Sequence, residues 1–82
     1  MIKEISESGG LFMDRIHVNS SNIESIGYEN SSQTLEISFI NSGIYQYYGV
    51  PYDIYQGLMN ADSHGRFLHQ YIKNNFSYRK LY

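Results

Sequence analysis

Ser63-His64-Gly65-Arg66 has the residue types of an anion-binding helix start. Ser63 is a preferred N-cap residue, and the free N–H groups and positive dipole end of a helix attract anions. Gly65 would let the backbone approach a phosphate closely, and Arg66 could bind it through two parallel hydrogen bonds. The alternative is an ordinary capped helix, in which Gly65 is small because it packs tightly against a neighbour.

The C-terminal end of the chain is basic and the rest is acidic. Residues 62–82 contain four basic residues, including Lys73, Arg79 and Lys80, and one acidic residue, whereas residues 1–61 contain two basic and seven acidic residues. A polyanion would therefore prefer the C-terminal end. The net charge of the whole chain is −2, which argues against strong nucleic-acid binding.

Tyr45 and Tyr47 admit two interpretations. Aromatic rings on an exposed sheet stack on unpaired bases, at about 1–3 kcal/mol per base. Alternatively, both rings belong to the core and hold helices on the sheet, which the strand register discussed below favours. In that case Tyr48 and Tyr28 are the better candidates for an exposed ring.

Metal and catalytic motifs are not apparent. His64 and His69 are five residues apart, not the four that place two imidazoles on one helical face, and His17 is remote in sequence. The chain has no cysteine, which excludes disulfides and cysteine–zinc sites, and it has no Gly-x-Ser-x-Gly motif. We expect no catalytic residues, no metal, no cofactor and no enzymatic activity.

Hydrophobic periodicity predicts strands followed by helices. Residues 23–29, 34–40 and 44–48 are predicted as three strands, and Pro51 and Ser63 suit the starts of two helices. The predicted fold class is therefore α+β: a three-stranded antiparallel meander, followed by two short helices packed on one face. Two further short extended segments are possible, one at residues 16–18 and one on the sheet edge at residues 78–82.

The turn before the third strand decides which residues face the helices. A three-residue turn at residues 41–43 would place Gly43 where a positive φ is favoured and would pair Ile40 with Ile44. A two-residue turn would shift the register by one and move every side chain of the strand to the opposite face. We prefer the three-residue turn, because Gln46 then lies on the polar face of the sheet.

This register predicts one hydrophobic core in a single domain. The domain spans residues 13–82, and residues 1–12 are predicted to be a flexible arm with the pair Gly9-Gly10. The predicted core consists of Leu35, Ile37, Phe39, Tyr45, Tyr47, Ile54, Leu58, Phe67, Leu68, Tyr71 and Ile72.

The order and spacing of several motifs resemble the KTSC domain, from about Arg15 to the C-terminus. The motifs are Asn19-Ser20-Ser21-Asn22-Ile23, Ile26-Gly27-Tyr28, Leu35-Glu36-Ile37-Ser38-Phe39, Tyr45-x-Tyr47, Val50-Pro51, Ala61-x-Ser63-x-Gly65, Ile72-Lys73 and Tyr78. Phe76 departs from the resemblance, since a tyrosine is equally common there. The resemblance implies a small domain that is appended to some lysyl-tRNA synthetases and also occurs as short stand-alone bacterial proteins. It suggests RNA as a partner, by association with the synthetase.

We therefore expect a small binding module that weakly binds RNA, of a tRNA-like kind, through a basic C-terminal face. The alternative is protein interaction or self-association through the free edge strand or an outer sheet face formed by Ile40, Ile44 and Tyr48. We expect a cytoplasmic protein without a membrane partner, because no apolar run approaches the ~20 residues of a membrane span. The predicted nucleic-acid-binding residues are Ser63, Gly65, Arg66, Lys73, Arg79, Lys80 and Tyr48.

Overall fold

The computed structural model describes residues 13–82, which form one antiparallel sheet with helices on one face. The predicted arm, residues 1–12, lies outside the described residues. The strands follow one another in the sheet in chain order: β1 (Ile16–His17), β2 (Ile23–Glu29), β3 (Thr34–Phe39), β4 (Gly43–Tyr47) and β5 (Tyr78–Lys80). The helices are α1 (Tyr52–Asn60) and α2 (His64–Phe67), and α2 continues as a π-helical segment (Leu68–Ile72).

The predicted α+β class with two helices is confirmed, but the sheet has five strands where three were predicted. The three predicted strands form its centre. β1 pairs with β2 through Ile16 and Ile26, and β5 pairs with β4 through Tyr78 and Tyr47. Both edge strands lie in the short extended segments that were considered possible, at residues 16–18 and 78–82. With two and three residues, they are too short for period-two alternation to identify them as strands.

The core lies between the helices and one face of the sheet, here called the inner face. Six predicted core residues are buried there, and Phe39, Tyr45, Ile54 and Phe67 are partly buried against them. Among residues 13–82, the buried hydrophobic residues are Val18, Ile23, Ile26, Leu35, Ile37, Tyr47, Val50, Leu58, Leu68 and Ile72.

The assignment of Tyr71 to the core is wrong. Its side chain is 46% exposed, and its ring packs on the ring of Phe67 with the centroids 4.6 Å apart. The prediction assumed α-helical spacing, whereas Lys73 N–H donates to the Leu68 carbonyl, five residues back, at 2.9 Å. The wider turn keeps Leu68 and Ile72 buried and turns Tyr71 towards solvent.

The predicted face of β4 is correct, but the predicted register is wrong by two residues. Phe39 pairs with Gly43, and the three-residue turn consists of residues 40–42. Ile40 belongs to this turn, and on the β2 side of the sheet its N–H donates to the Asn22 carbonyl at 3.0 Å. Gly43 has the positive φ that was predicted, +92°. A slip of two residues preserves the side-chain alternation, so Tyr45 still lies on the inner face.

The helix boundaries follow local signals in the sequence. Pro51 immediately precedes α1 and accepts hydrogen bonds from the N–H groups of Ile54 and Tyr55. Ser63 is the N-cap of α2, and its hydroxyl accepts from the Arg66 N–H at 3.2 Å. Both caps were predicted from residue type.

Candidate functional site

A groove of about 500 Å³ lies between the inner face of the sheet and the second helical region. One wall consists of aromatic residues from β3, β4 and β5. The opposite wall comes from α2 and the π-helical segment, and two loops form the rim. The lining residues are Ser21, Asn22, Phe39, Ile40, Asn41, Ser42, Tyr45, Tyr47, Gly65, Leu68, His69, Lys73, Asn74 and Tyr78.

The aromatic wall is a continuous ring cluster. The Tyr78 centroid lies 5.8 Å from those of both Tyr45 and Tyr47, and Phe39 meets Tyr45 edge-on at 5.4 Å. Tyr47 is 3% exposed, Tyr45 is half-buried and Tyr78 is 58% exposed. Exposure therefore increases from Tyr47 in the core, through Tyr45, to Tyr78, whose ring is largely open to solvent.

Both interpretations of the tyrosine pair describe part of the structure. Tyr47 is a core residue, and burial, with the neighbouring phenols of Tyr45 and Tyr78, raises its pKa to about 12. Tyr45 packs against the core and also lines the groove. Tyr78 completes the aromatic wall. From the sequence it was placed in an edge segment and was not predicted as a stacking ring. Its alternation with Lys80 along β5 is the signal that could have found it.

The helical wall presents Gly65, Leu68, His69 and Lys73. A methyl group added at Gly65 would lie 2.5 Å from Asn22 Oδ1, so this glycine is small because a neighbouring side chain packs against it. The π-helical hydrogen bond places Lys73 one turn beyond Leu68, which puts its side chain on the groove side. His69 is exposed on this wall.

The electrostatics of the groove favour an anion. None of the described residues that line it is Asp or Glu. Within residues 13–82, the ion pairs are Arg15 with Glu36 and a longer contact of His17 with Glu24, so Lys73 and Lys80 have no carboxylate partner. The Lys80 ammonium lies 5.9 Å from the centroid of the Tyr45 ring, at the edge of the aromatic wall.

The structure divides the seven predicted binding residues between two surfaces. Gly65 and Lys73 line the groove, and Lys80 is beside it through Tyr45. Ser63 caps α2, and Arg66 is exposed on α2 but does not line the groove.

The other two predicted residues belong to the opposite, outer face of the sheet. Arg79 pairs with Gln46, and the Tyr48 hydroxyl donates to Gln46 Oε1 at 3.1 Å. Tyr48 is half-buried. Arg79 and Lys80 are neighbours in sequence and were therefore predicted to share one binding face, but strand alternation places them on opposite faces of the sheet.

The outer face contains a buried polar cluster that the sequence analysis missed. Glu36 is fully buried, and its carboxylate accepts hydrogen bonds from Arg15 Nη1, from Gln46 Nε2 at 2.8 Å and from the Met13 N–H at 3.3 Å. Arg15 Nε also donates to Ser25 Oγ at 2.8 Å. Strand alternation places Glu36 on the face opposite the helices, where the segment before β1 covers it through Met13 and Arg15.

The described part of the chain contains no group of three or more His, Asp or Glu side chains arranged to hold a metal ion. Across residues 13–82, no helix combines the length and apolar character needed to span a membrane.

The family model of the KTSC domain matches residues 19–76. The chain belongs to the KTSC domain family. The crystal structure of a KTSC domain protein from Yersinia pestis superimposes with a TM-score of 0.83 and 46% identity, covering 84% of this chain and 97% of that one. The resemblance found in the sequence is therefore confirmed.

Two kinds of curated relatives contain a similar KTSC domain. An uncharacterized protein of Stutzerimonas stutzeri is 39% identical over 61 residues, which cover 74% of this chain and 86% of that protein. A lysine–tRNA ligase of Trichormus variabilis is 38% identical over 59 residues, which cover 72% of this chain. The KTSC match spans only 10% of the ligase, so the resemblance concerns an appended part of that protein.

Proposed function

We propose that this KTSC domain is a non-enzymatic module that binds RNA weakly through the groove between the sheet and the π-helical segment. The observation that carries the proposal is that cations with no carboxylate partner among residues 13–82 lie beside exposed aromatic rings. Lys73 lines the groove with Tyr45 and Tyr78, and Lys80 lies over the Tyr45 ring. Cations bind phosphates, and exposed tyrosine rings stack on unpaired bases.

The relatives add a second line of support. A lysine–tRNA ligase, by its name, joins lysine to tRNA, and a domain within such a protein would be held close to tRNA. This is support by association, because the same fold could serve another purpose elsewhere. The absence of cysteine fits a reducing compartment, so we propose the cytoplasm as the place of action.

The predicted residues that do not line the groove are proposed to contribute less to RNA binding. Arg66 extends the cationic surface beside the helical wall. Arg79 and Tyr48 lie on the outer face, so only a strand that passes around the edge of β5 would reach them. We propose Lys73 and Lys80 as the principal phosphate contacts.

Protein interaction through the sheet edge is the second candidate function. All three residues of β5 are exposed, and among the described strands β5 has a neighbour, β4, on one side only. Such an edge can pair with a strand of another chain. The predicted apolar outer face gives less support, because Ile44 and Tyr48 are half-buried and Ile40 lies at the groove.

Salt dependence separates the two candidates. The protein is titrated with single-stranded RNA and with tRNA at low and high salt, and its sedimentation is followed without RNA. Phosphate binding must weaken steeply as salt rises. Failure to bind either RNA at low salt would remove the RNA proposal, and salt-insensitive self-association would favour the sheet edge.

A further inference from the structure

The shape of the groove limits which part of an RNA could enter it. Its volume of about 500 Å³ falls within the ~300–1,000 Å³ typical of clefts that hold one small organic molecule. The bases of a duplex are stacked on one another, so they cannot lie against a protein ring. An RNA segment that uses the aromatic wall must therefore present an unpaired base.

One ring of the aromatic wall is positioned to receive such a base. Tyr78 packs towards Tyr45 and Tyr47, at 5.8 Å between centroids, yet it remains 58% exposed. Tyr47 has almost no free surface, and Tyr45 is partly covered by the edge of Phe39. The open face of Tyr78 is thus the most accessible stacking surface in the groove. His69 is exposed on the opposite wall.

The rim of the groove carries two polar side chains whose hydrogen-bonding groups are not used within the described fold. Asn41 and Asn74 line the groove, are exposed, and make no side-chain hydrogen bond within residues 13–82. A carboxamide has both donors and an acceptor, as does the edge of a base. By contrast, the amide of Asn75 donates to the Tyr71 carbonyl at 2.8 Å and is already engaged.

We infer that the groove binds a single unpaired nucleotide of an RNA. Its base stacks on Tyr78, its edge faces the amides of Asn41 and Asn74, and its phosphate lies near Lys73 and Lys80. This inference rests on the RNA-binding function proposed above and names the ligand of the same site. The substrate class is an RNA loop, bulge or end, and a continuous duplex is excluded from the groove.

Two RNA hairpins whose strands are joined by a non-nucleotide linker, so that no unpaired loop is present, test this inference: one is fully paired, and the other is identical apart from one bulged uridine. Each is titrated at low salt with the parent protein and with Tyr78→Leu, which removes the ring and keeps an apolar side chain. Tyr78→Phe retains the ring, and Tyr52→Leu removes a ring of similar exposure, 51%, that does not line the groove. Thermal melting of each variant verifies that it is folded.

The inference predicts tighter binding of the bulged hairpin by the parent, by Tyr78→Phe and by Tyr52→Leu. Tyr78→Leu should weaken binding of the bulged hairpin roughly 5- to 150-fold and bring it close to that of the paired hairpin, the range expected for losing one stacked base. Equal, salt-sensitive binding of both hairpins, unaffected by Tyr78→Leu, would overturn the inference and leave RNA binding intact. If neither hairpin binds, both this inference and the RNA-binding function proposed above are contradicted.

Discussion

The Lys80 ammonium lies 5.9 Å from the centroid of the Tyr45 ring, so a cation of β5 covers an aromatic ring of β4. Strand alternation places Tyr78 and Lys80 on the inner face and Arg79, between them, on the outer face. An exposed cation–π contact is worth only about 0.5–1 kcal/mol. A phosphate can therefore draw Lys80 from the ring at small cost, which leaves this cation available to bind RNA.

The first prediction concerns the buried carboxylate of the outer face. Arg15→Met should lower the free energy of unfolding by about 3–5 kcal/mol, because it leaves the fully buried Glu36 without its ion-pair partner. Glu36→Gln should cost less, since Arg15 is 21% exposed and can be solvated. Urea denaturation of the two single variants and the double variant measures these changes.

The double variant provides the internal control for this pair. Arg15→Met/Glu36→Gln should recover part of the stability lost in Arg15→Met, because no buried charge remains unpaired. If Arg15→Met unfolds at the same urea concentration as the parent, the polar cluster around Glu36 does not anchor the segment before β1.

The second prediction compares two glycines with positive φ. Gly43 has φ +92°, and a methyl group there would clash with a main-chain oxygen of Tyr82, whereas Gly49 has φ +75° and open space around it. Gly49→Ala should therefore cost only the backbone strain, about 1 kcal/mol, and Gly43→Ala should cost clearly more.

Thermal melting of the two alanine variants measures the difference. The difference is expected because residues 81 and 82 pack across Gly43, where the Leu81 N–H donates to the Ile44 carbonyl at 2.7 Å. Equal destabilisation by both substitutions would mean that the C-terminal residues do not pack against the start of β4.

The third prediction concerns Tyr47 at alkaline pH. Burial, followed by the phenols of Tyr45 and Tyr78, raises the pKa of Tyr47 from 10.0 to about 12. A folded-state pKa above the unfolded value favours the protonated, folded form, so this stabilisation is complete below pH 10 and is lost as pH rises towards about 12. The free energy of unfolding of the parent should fall over this range more steeply than that of Tyr47→Phe. Parallel pH profiles for the two proteins would contradict the burial of this phenol.

Much of the fold could be predicted from local patterns. The alternation of Leu35, Ile37 and Phe39 identified β3, and Ser63 identified the start of α2. The register before β4 could not be predicted, because Gly43 tolerates a positive φ whether it ends the turn or begins the strand, and only the pairing of Phe39 with Gly43 distinguishes the two.

The candidate site could be predicted only in part. Lys73, Lys80 and Tyr45 were singled out by charge and residue type. In the structure Lys73 and Tyr45 line one groove, and Lys80 lies beside it, over the Tyr45 ring. Tyr78 was not singled out, because a ring on a three-residue edge strand gains its importance from the neighbours that pairing supplies. For the same reason Arg79, adjacent in sequence to Lys80, was grouped with it although the two face opposite sides of the sheet.

The central claim is that RNA binds at the groove and not through positive charge in general. Two double variants with equal loss of charge test it: Lys73→Ala/Lys80→Ala removes the cations at the groove, and Arg66→Ala/Arg79→Ala removes two that do not line it. Each is titrated with single-stranded RNA over a range of salt concentrations, beside the parent protein.

The account predicts that Lys73→Ala/Lys80→Ala weakens binding strongly and lowers the slope of log K against log salt by about 1.4, the value for two lost phosphate contacts on a single strand. Arg66→Ala/Arg79→Ala should retain most of the affinity and most of the slope. Equal loss in both double variants would contradict the claim, because binding would then follow net charge and not the groove.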